Sequence, residues 1–181
     1  GGKQTMKKLI ALLVALMMTL CCFSALAEDA AEDTAPEAIT VELVENGAWV
    51  PFADYNFQIC LPSDWNVLQL TDEQTQSGVI AGYASADGAR SCWISYTEMA
   101  EATDIETVAE QLSASYEGVQ LITINDVPFV TYTIAEQDLV GLCTLGGSGV
   151  GFYQFLFTPA SDAEYLPMAE SIAASISAIE E

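Results

Sequence analysis

Between residues 39 and 157 apolar and polar positions alternate in short runs, the period-two pattern of half-buried strands. Ile39, Val41 and Leu43 fall on one face against Thr40 and Glu42. Asn46-Gly47, a two-residue hairpin signal, then leads into a return strand over 48–52. In 56–61, Phe57, Ile59 and Leu61 oppose Gln58 and Cys60; Pro62-Ser63-Asp64 interrupts, and 65–70 resumes as a strand. The runs 78–84 and 90–96 flank Asp87-Gly88, a second hairpin signal. Four more strands follow at 119–124, 127–134, 139–145 and 150–157, joined by turns at Asn125-Asp126, Glu136-Gln137 and Gly146-Gly147-Ser148-Gly149.

Helical spacing shows at two places. Thr103 with Glu106 makes a capping box, and Ile105, Val108, Ala109 and Leu112 form an apolar stripe that ends before Gly118. Ser161 with Glu164 offers a second box, opening a helix that turns Tyr165, Met168, Ile172 and Ile176 to the core; Pro167, suited to a first helical position, offers a later start. Several strands are apolar on both faces, as in Gly151-Phe152-Tyr153-Gln154-Phe155-Leu156-Phe157, which requires cover on both sides. The pattern predicts one α+β domain over 39–181, with a central antiparallel sheet and helices on both faces.

The first 38 residues read differently. Met6-Lys7-Lys8 is a short positive segment, 9–23 is a mostly apolar run, and Ala25 and Ala27 put small residues where a signal peptidase cuts after Ala27. The run has 15 residues, short of the roughly 20 that span a bilayer, so 6–27 reads as a cleaved signal peptide. Cys21 and Cys22 raise lipidation as an alternative, but Leu20 stands where a lipoprotein signal has a small residue. Gly1 to Thr5 read as leader sequence ahead of the natural start: Gly-Gly-Lys-Gln-Thr can be encoded by a purine-rich ribosome-binding sequence, which points to a bacterial source. Residues 28–38 carry five acids, one proline and small residues, the composition of a solvated linker.

Charge then narrows the function. The chain has 26 acidic residues, four basic ones and no histidine, and after Lys8 its only basic residue is Arg90. A chain beginning at Glu28 therefore carries −25. Nucleic acid and anionic membrane surfaces are excluded as partners, because both need clustered Lys and Arg. Without His, Ser-His-Asp and Cys-His nucleophiles and histidine-ligated zinc are excluded; without Lys beyond residue 8, so are Schiff-base and P-loop lysines.

What remains is sparse. Carboxylates are the only abundant acid–base groups; a glycosidase-type pair needs two of them about 5–9.5 Å apart. Oxygen ligands for calcium are plentiful, yet the EF-hand spacing is absent, so weak, diffuse Ca2+ binding and no dedicated cofactor is the expectation; Asp72-Glu73 and Glu98/Glu101/Asp104 read as solvated clusters. Cys60, Cys92 and Cys143 lie in strands and not in Cys-x-x-Cys, so they are either buried thiols or one disulfide, for which Cys60 with Cys92 is the preferred pairing. Arg90 reads either as an anion contact for a ligand or partner, or as a surface ion pair beside the Asp87-Gly88 turn. Trp49, Trp65 and Trp93 with seven tyrosines could line a ligand groove or fill the core; Trp49, by the first hairpin, is the one expected at the surface as a ligand or partner contact.

Phe57-Gln58-Ile59-Cys60-Leu61-Pro62-Ser63-Asp64-Trp65 resembles the opening of PsbP-like domains, a strand that ends in Pro-Ser-x-Trp. The order that follows is similar too: Trp93-Ile94-Ser95-Tyr96 looks like the family's central strand, the stripe from Ile105 to Leu112 like its first main helix, and Tyr153-Gln154-Phe155-Leu156-Phe157 like its penultimate strand. Asn125-Asp126-Val127-Pro128 resembles its Asn-Gly-x-Pro hairpin, with Asp126 where Gly is commoner, and Ala173 to Ile176 its closing helix. The resemblance implies the α/β/α sandwich shared by the photosystem II extrinsic protein P, the Ran-binding Mog nuclear-transport factors and many bacterial exported proteins. It implies an accessory or binding role, and it carries over no active-site residue. The expectation is a secreted or envelope-located, monomeric, non-enzymatic bacterial module that binds an unknown protein or small ligand, a cationic one being favoured. The alternatives are an acidic structural or cation-buffering surface protein and a small carboxylate-dependent hydrolase.

Overall fold

The computed structural model describes residues 36–179. The expected leader, the signal peptide with Ala25 and Ala27, Cys21 and Cys22, and most of the acidic linker lie outside the described residues. Eleven strands and three helices are described: β1 (Glu37–Ile39), β2 (Gly47–Phe52), β3 (Phe57–Pro62), β4 (Asn66–Val67), α1 (Asp72–Gln76), β5 (Val79–Ala84), β6 (Ser91–Glu98), α2 (Ile105–Ser113), β7 (Gln120–Ile124), β8 (Val127–Ile134), β9 (Leu139–Leu145), β10 (Gly151–Thr158), α3 (Tyr165–Ala174) and β11 (Ser177–Ala178). No helix among the described residues is long and apolar enough to cross a membrane.

Eight strands form one sheet in the order β1-β7-β8-β9-β10-β6-β5-β4. The strands that are apolar on both faces, β9 and β10, occupy its middle, where both faces are covered. On one face Phe129, Leu142, Ile94, Phe155 and Phe157 pack against Tyr165, Ala169, Ile172 and Ala173 of α3 and against Phe57, Ile59 and Leu61 of β3. On the other, Trp93, Val130, Tyr132, Cys143 and Leu156 pack against Ile105, Val108 and Leu112 of α2. Helices cover both faces, as the sequence predicts, and the class is α+β.

The first third of the chain departs from expectation. β2, β3 and β11 leave the central sheet and form a three-stranded sheet beside α3. The alternation in β3 supplies a single apolar face, which suits a strand laid over a core better than one placed inside a sheet covered on both sides. The hairpin predicted at Asn46-Gly47 does not form. Instead Glu37–Ile39 runs parallel to β7, with Ile39 opposite Ile124, so the large sheet is mixed. The Asn125 side chain holds that connection by bracketing Val41: it accepts from the Val41 N–H at 3.0 Å and donates to its carbonyl at 2.9 Å. Gly47 serves close packing, since a Cβ there would sit 2.3 Å from the Cys60 sulfur.

Helix and strand ends shift for local reasons. Asp104, not Thr103, caps α2, accepting from the Thr107 N–H at 2.7 Å. Ser161 does not cap α3; its N–H and hydroxyl both donate to Asp138 at 2.7 Å, and Asp162 accepts from the Glu164 N–H at 3.0 Å. The strand expected over 65–70 shrinks to Asn66–Val67. Next to it, Thr71 and Gln74 form a capping box that opens α1, so the Asp72-Glu73 cluster is the first turn of a helix.

The disulfide preferred between Cys60 and Cys92 is absent; these two and Cys143 are buried free thiols. Strand alternation explains the separation. Phe57, Ile59 and Leu61 face the core shared with Cys92, which turns Cys60 to the opposite face of β3, and Cys143 lies in the core on the other side of the large sheet. Burial pushes the Cys92 and Cys143 thiols well above their ordinary range. Unfolding without reductant is therefore expected to expose three alkylatable thiols in 36–179 and the native state almost none. An unfolded mass with one alkylation in this region would establish a disulfide instead.

Candidate functional site

A cleft of about 350 Å3 is lined by residues of both sheets. Its small-sheet side is Tyr55, Asn56 and Phe57 with Ile176, Ser177 and Ala178, and its large-sheet side includes Tyr96, Tyr153, Val127 and Thr144. Tyr55 ends a 3-10 turn, Ala53–Tyr55, and Asn56 follows in the left-handed conformation (φ 53°), which reverses the chain between β2 and β3. Tyr96 and Tyr153 are directly opposite in the β6–β10 register. The rings form a continuous set: Tyr55 to Tyr96 at 5.0 Å, Tyr96 to Tyr153 at 5.2 Å and Phe57 to Tyr153 at 4.9 Å between centroids. All three tyrosines are half-buried, so the cleft is walled by aromatic surface.

The Gly146-Gly147-Ser148-Gly149-Val150-Gly151 segment closes another side. Gly149 takes φ +72°, and its carbonyl accepts from the Thr103 N–H at 2.9 Å while the Val150 carbonyl accepts from the Met99 N–H at 2.8 Å. A Cβ on Gly151 would lie 3.2 Å from the Tyr96 ring, and one on Gly146 3.3 Å from that of Tyr153. These glycines thus seat the rings; the sequence pattern alone reads them as a turn.

The described residues lining the cleft include no carboxylate, thiol or cation. Burial, with Tyr96 adding to it, raises the Tyr153 phenol, so the hydroxyl stays neutral at ordinary pH. A carboxylate pair does exist elsewhere: Glu170 on α3 is pushed up by burial and then by the charge of Glu37. Neither residue of this pair lines the cleft. A raised carboxyl binds protons in the folded state that the unfolded chain releases, so its contribution to stability falls as pH rises above the ordinary value of 4.5. Glu170→Gln is expected to be more stable than the parent at neutral pH and to flatten the decline above 4.5, read by urea unfolding across that range. An unchanged pH profile would show that Glu170 titrates normally.

Neither Arg90 nor Trp49 is among the residues lining the cleft. Arg90 does not pair with Asp87, which accepts from Ser85 and Ala89. It reaches Asp162, with Nε at 2.8 Å and a terminal nitrogen at 2.7 Å, and lies over the Tyr165 ring at 5.3 Å. Arg90 therefore clips the β5–β6 hairpin to the start of α3, and its bond holds the Asp162 carboxyl below its ordinary range. Trp49 is 47% exposed on β2, turned away from the core that Val50 and Phe52 face. Trp65 and Trp93 pack in the two cores. Among the described residues no three His, Cys, Asp or Glu side chains converge as metal ligands. The cleft tyrosines escape sequence analysis because their meeting depends on pairing across 57 residues; the surplus of glycine at 146–151 is the one local signal.

Comparison with known proteins supports the fold. No family model matches the chain, and no curated protein does. Among solved structures it is similar to cyanobacterial PsbP (CyanoP) from Synechocystis sp. PCC 6803, at 9% identity and a TM-score of 0.54, over 74% of this chain and 92% of that one. It is also similar to a protein from Bacteroides thetaiotaomicron VPI-5482, at 18% identity and a TM-score of 0.50, over 70% of this chain and 46% of that one. The chain has a PsbP-like fold.

Proposed function

We propose that this chain is an exported, non-enzymatic accessory module that binds a protein or small ligand in the bacterial envelope or outside the cell. The aromatic cleft lined by both sheets is the observation that carries this reading. It is concave, its aromatic and aliphatic side chains are interspersed with Asn56, Thr144, Ser148 and Ser177, and its described lining holds no carboxylate, thiol or cation. The PsbP-like fold is consistent with an accessory role. The signal pattern at 6–27 supports export, and the acidic surface suits a cationic partner while repelling nucleic acid and anionic lipid.

Intact-protein mass of the cell-associated and extracellular forms tests the address. A form that starts at Glu28 outside the cell is the expected result. A form starting at Met6 in the cytoplasm overturns export, and one starting at Cys21 or Cys22 with added lipid moves the protein to the membrane surface.

A further inference from the structure

The aromatic cleft also carries a statement about ligand chemistry, which rests on the binding-module reading. We infer that it takes a small organic cation, an alkylammonium or quaternary ammonium head, held against the rings of Tyr55, Tyr96 and Tyr153.

Three observations converge. The ring set is continuous: Tyr96 lies 5.0 Å from Tyr55 and 5.2 Å from Tyr153, and all three rings line the same cleft. An ammonium within about 6 Å of such faces is attracted by the ring quadrupole, and several rings around one head form an aromatic cage. The volume, about 350 Å3, suits a small molecule.

The charged residues next to the lining in chain or register are all acidic. Glu98 lies two residues beyond Tyr96 on the same face of β6, opposite Gly151; Asp54 precedes Tyr55, and Asp126 precedes Val127. Arg90, the sole Lys or Arg among the described residues, is held by Asp162 beyond the far end of β6. Gly151 and Thr158 mark the two ends of β10, seven residues apart, and Ser91 pairs with Thr158. At about 3.3 Å per residue Arg90 is roughly 23 Å from the opening. That is well beyond the ~8 Å screening length of physiological salt. An anionic ligand would thus meet carboxylates and no counter-charge, and a neutral one would gain nothing from the field. The glycines at 146 and 151 fit the same purpose, since a side chain at either would press on Tyr153 or Tyr96.

Calorimetric titration of the domain with choline, and with its neutral isostere 3,3-dimethyl-1-butanol, tests this. Choline is expected to bind at least about tenfold tighter, the equivalent of one desolvated cation–π contact. Tyr153→Phe, which keeps the ring, should retain binding, whereas Tyr153→Leu should lose about tenfold. Should Tyr153→Leu fail to fold by circular dichroism, Tyr55→Leu on the 3-10 turn takes its place with the same expected loss. Equal affinity for the two probes, or choline binding indifferent to the tyrosine replacements, overturns the inference. So does binding of a lysine-rich peptide without choline, which would make the cleft a protein-docking site. An extracellular chain starting at Glu28 that ignores choline sinks this inference alone, and a cytoplasmic chain that binds choline sinks only the export reading.

Discussion

Phe155→Ala is expected to destabilise the domain by about 3–5 kcal/mol, the range for deleting a fully buried aromatic side chain. Phe155 is 0% exposed at the centre of β10, with Leu142 and Ile94 opposite it on the flanking strands and the α3/β3 layer above. No flexible neighbour can refill the volume, because the rings and branched chains around it belong to four different elements, β6, β9, β3 and α3. Domains of this size are stable by only about 5–15 kcal/mol, so the variant loses about a fifth of that or more. Urea unfolding should show a lower midpoint with an unchanged slope. A loss under about 1 kcal/mol would mean that the layer collapses onto the cavity and that the core is less rigidly packed than described.

Gly141→Ala is expected to cost about 2–4 kcal/mol, combining overpacking with a disturbed buried hydrogen bond. Gly141 is opposite Tyr132 in the β8–β9 register, and the Tyr132 ring lies across it. A Cβ at this position would be 2.3 Å from that ring. Tyr132 is not free to move. Tyr116 stacks on it at 4.7 Å, and its hydroxyl accepts from the Gln154 amide, whose oxygen accepts in turn from Ser95. Gln154 and Ser95 are buried, so displacing the ring leaves polar groups without partners. A double-mutant cycle with Tyr132→Leu isolates the clash. Gly141→Ala should be milder in the Tyr132→Leu background by about 1–2 kcal/mol. Additive effects would show that the glycine matters for the backbone and not for the ring.

Tyr132 and Gly141 also show where sequence analysis stops. Both strands were legible to the residue, Val127–Ile134 and Leu139–Leu145, because β-branched and aromatic runs bounded by turn residues leave little choice. That a small residue on one strand makes room for a ring on the next is a property of register and cannot be read from either run. Asp104 and Thr103 make the same point at shorter range. Both can cap, and backbone geometry chose the one whose carboxylate reaches the Thr107 N–H. At 46–47 the local hairpin signal lost to distant pairing, as the short Glu37–Ile39 segment gains a parallel partner in β7 and the Asn125 bracket on Val41. The turn itself forms, with the Val44 carbonyl accepting from the Gly47 N–H at 3.1 Å; only the strand pairing goes elsewhere.

By itself the sequence determined the class, an α+β domain with helices on both faces of a sheet, because hydrophobic periodicity is local and survives in any tertiary context. It determined the charge, and with it the chemistries that this chain cannot perform, because absent side chains stay absent in every fold. Only the tertiary structure decided that the strands divide into two sheets, that the three thiols face three different surroundings, and that Arg90 serves α3. It alone brought Tyr55, Tyr96 and Tyr153 around one opening. Each of these depends on pairs far apart in the chain, whose register is set by the packing of the whole core and by no residue on its own.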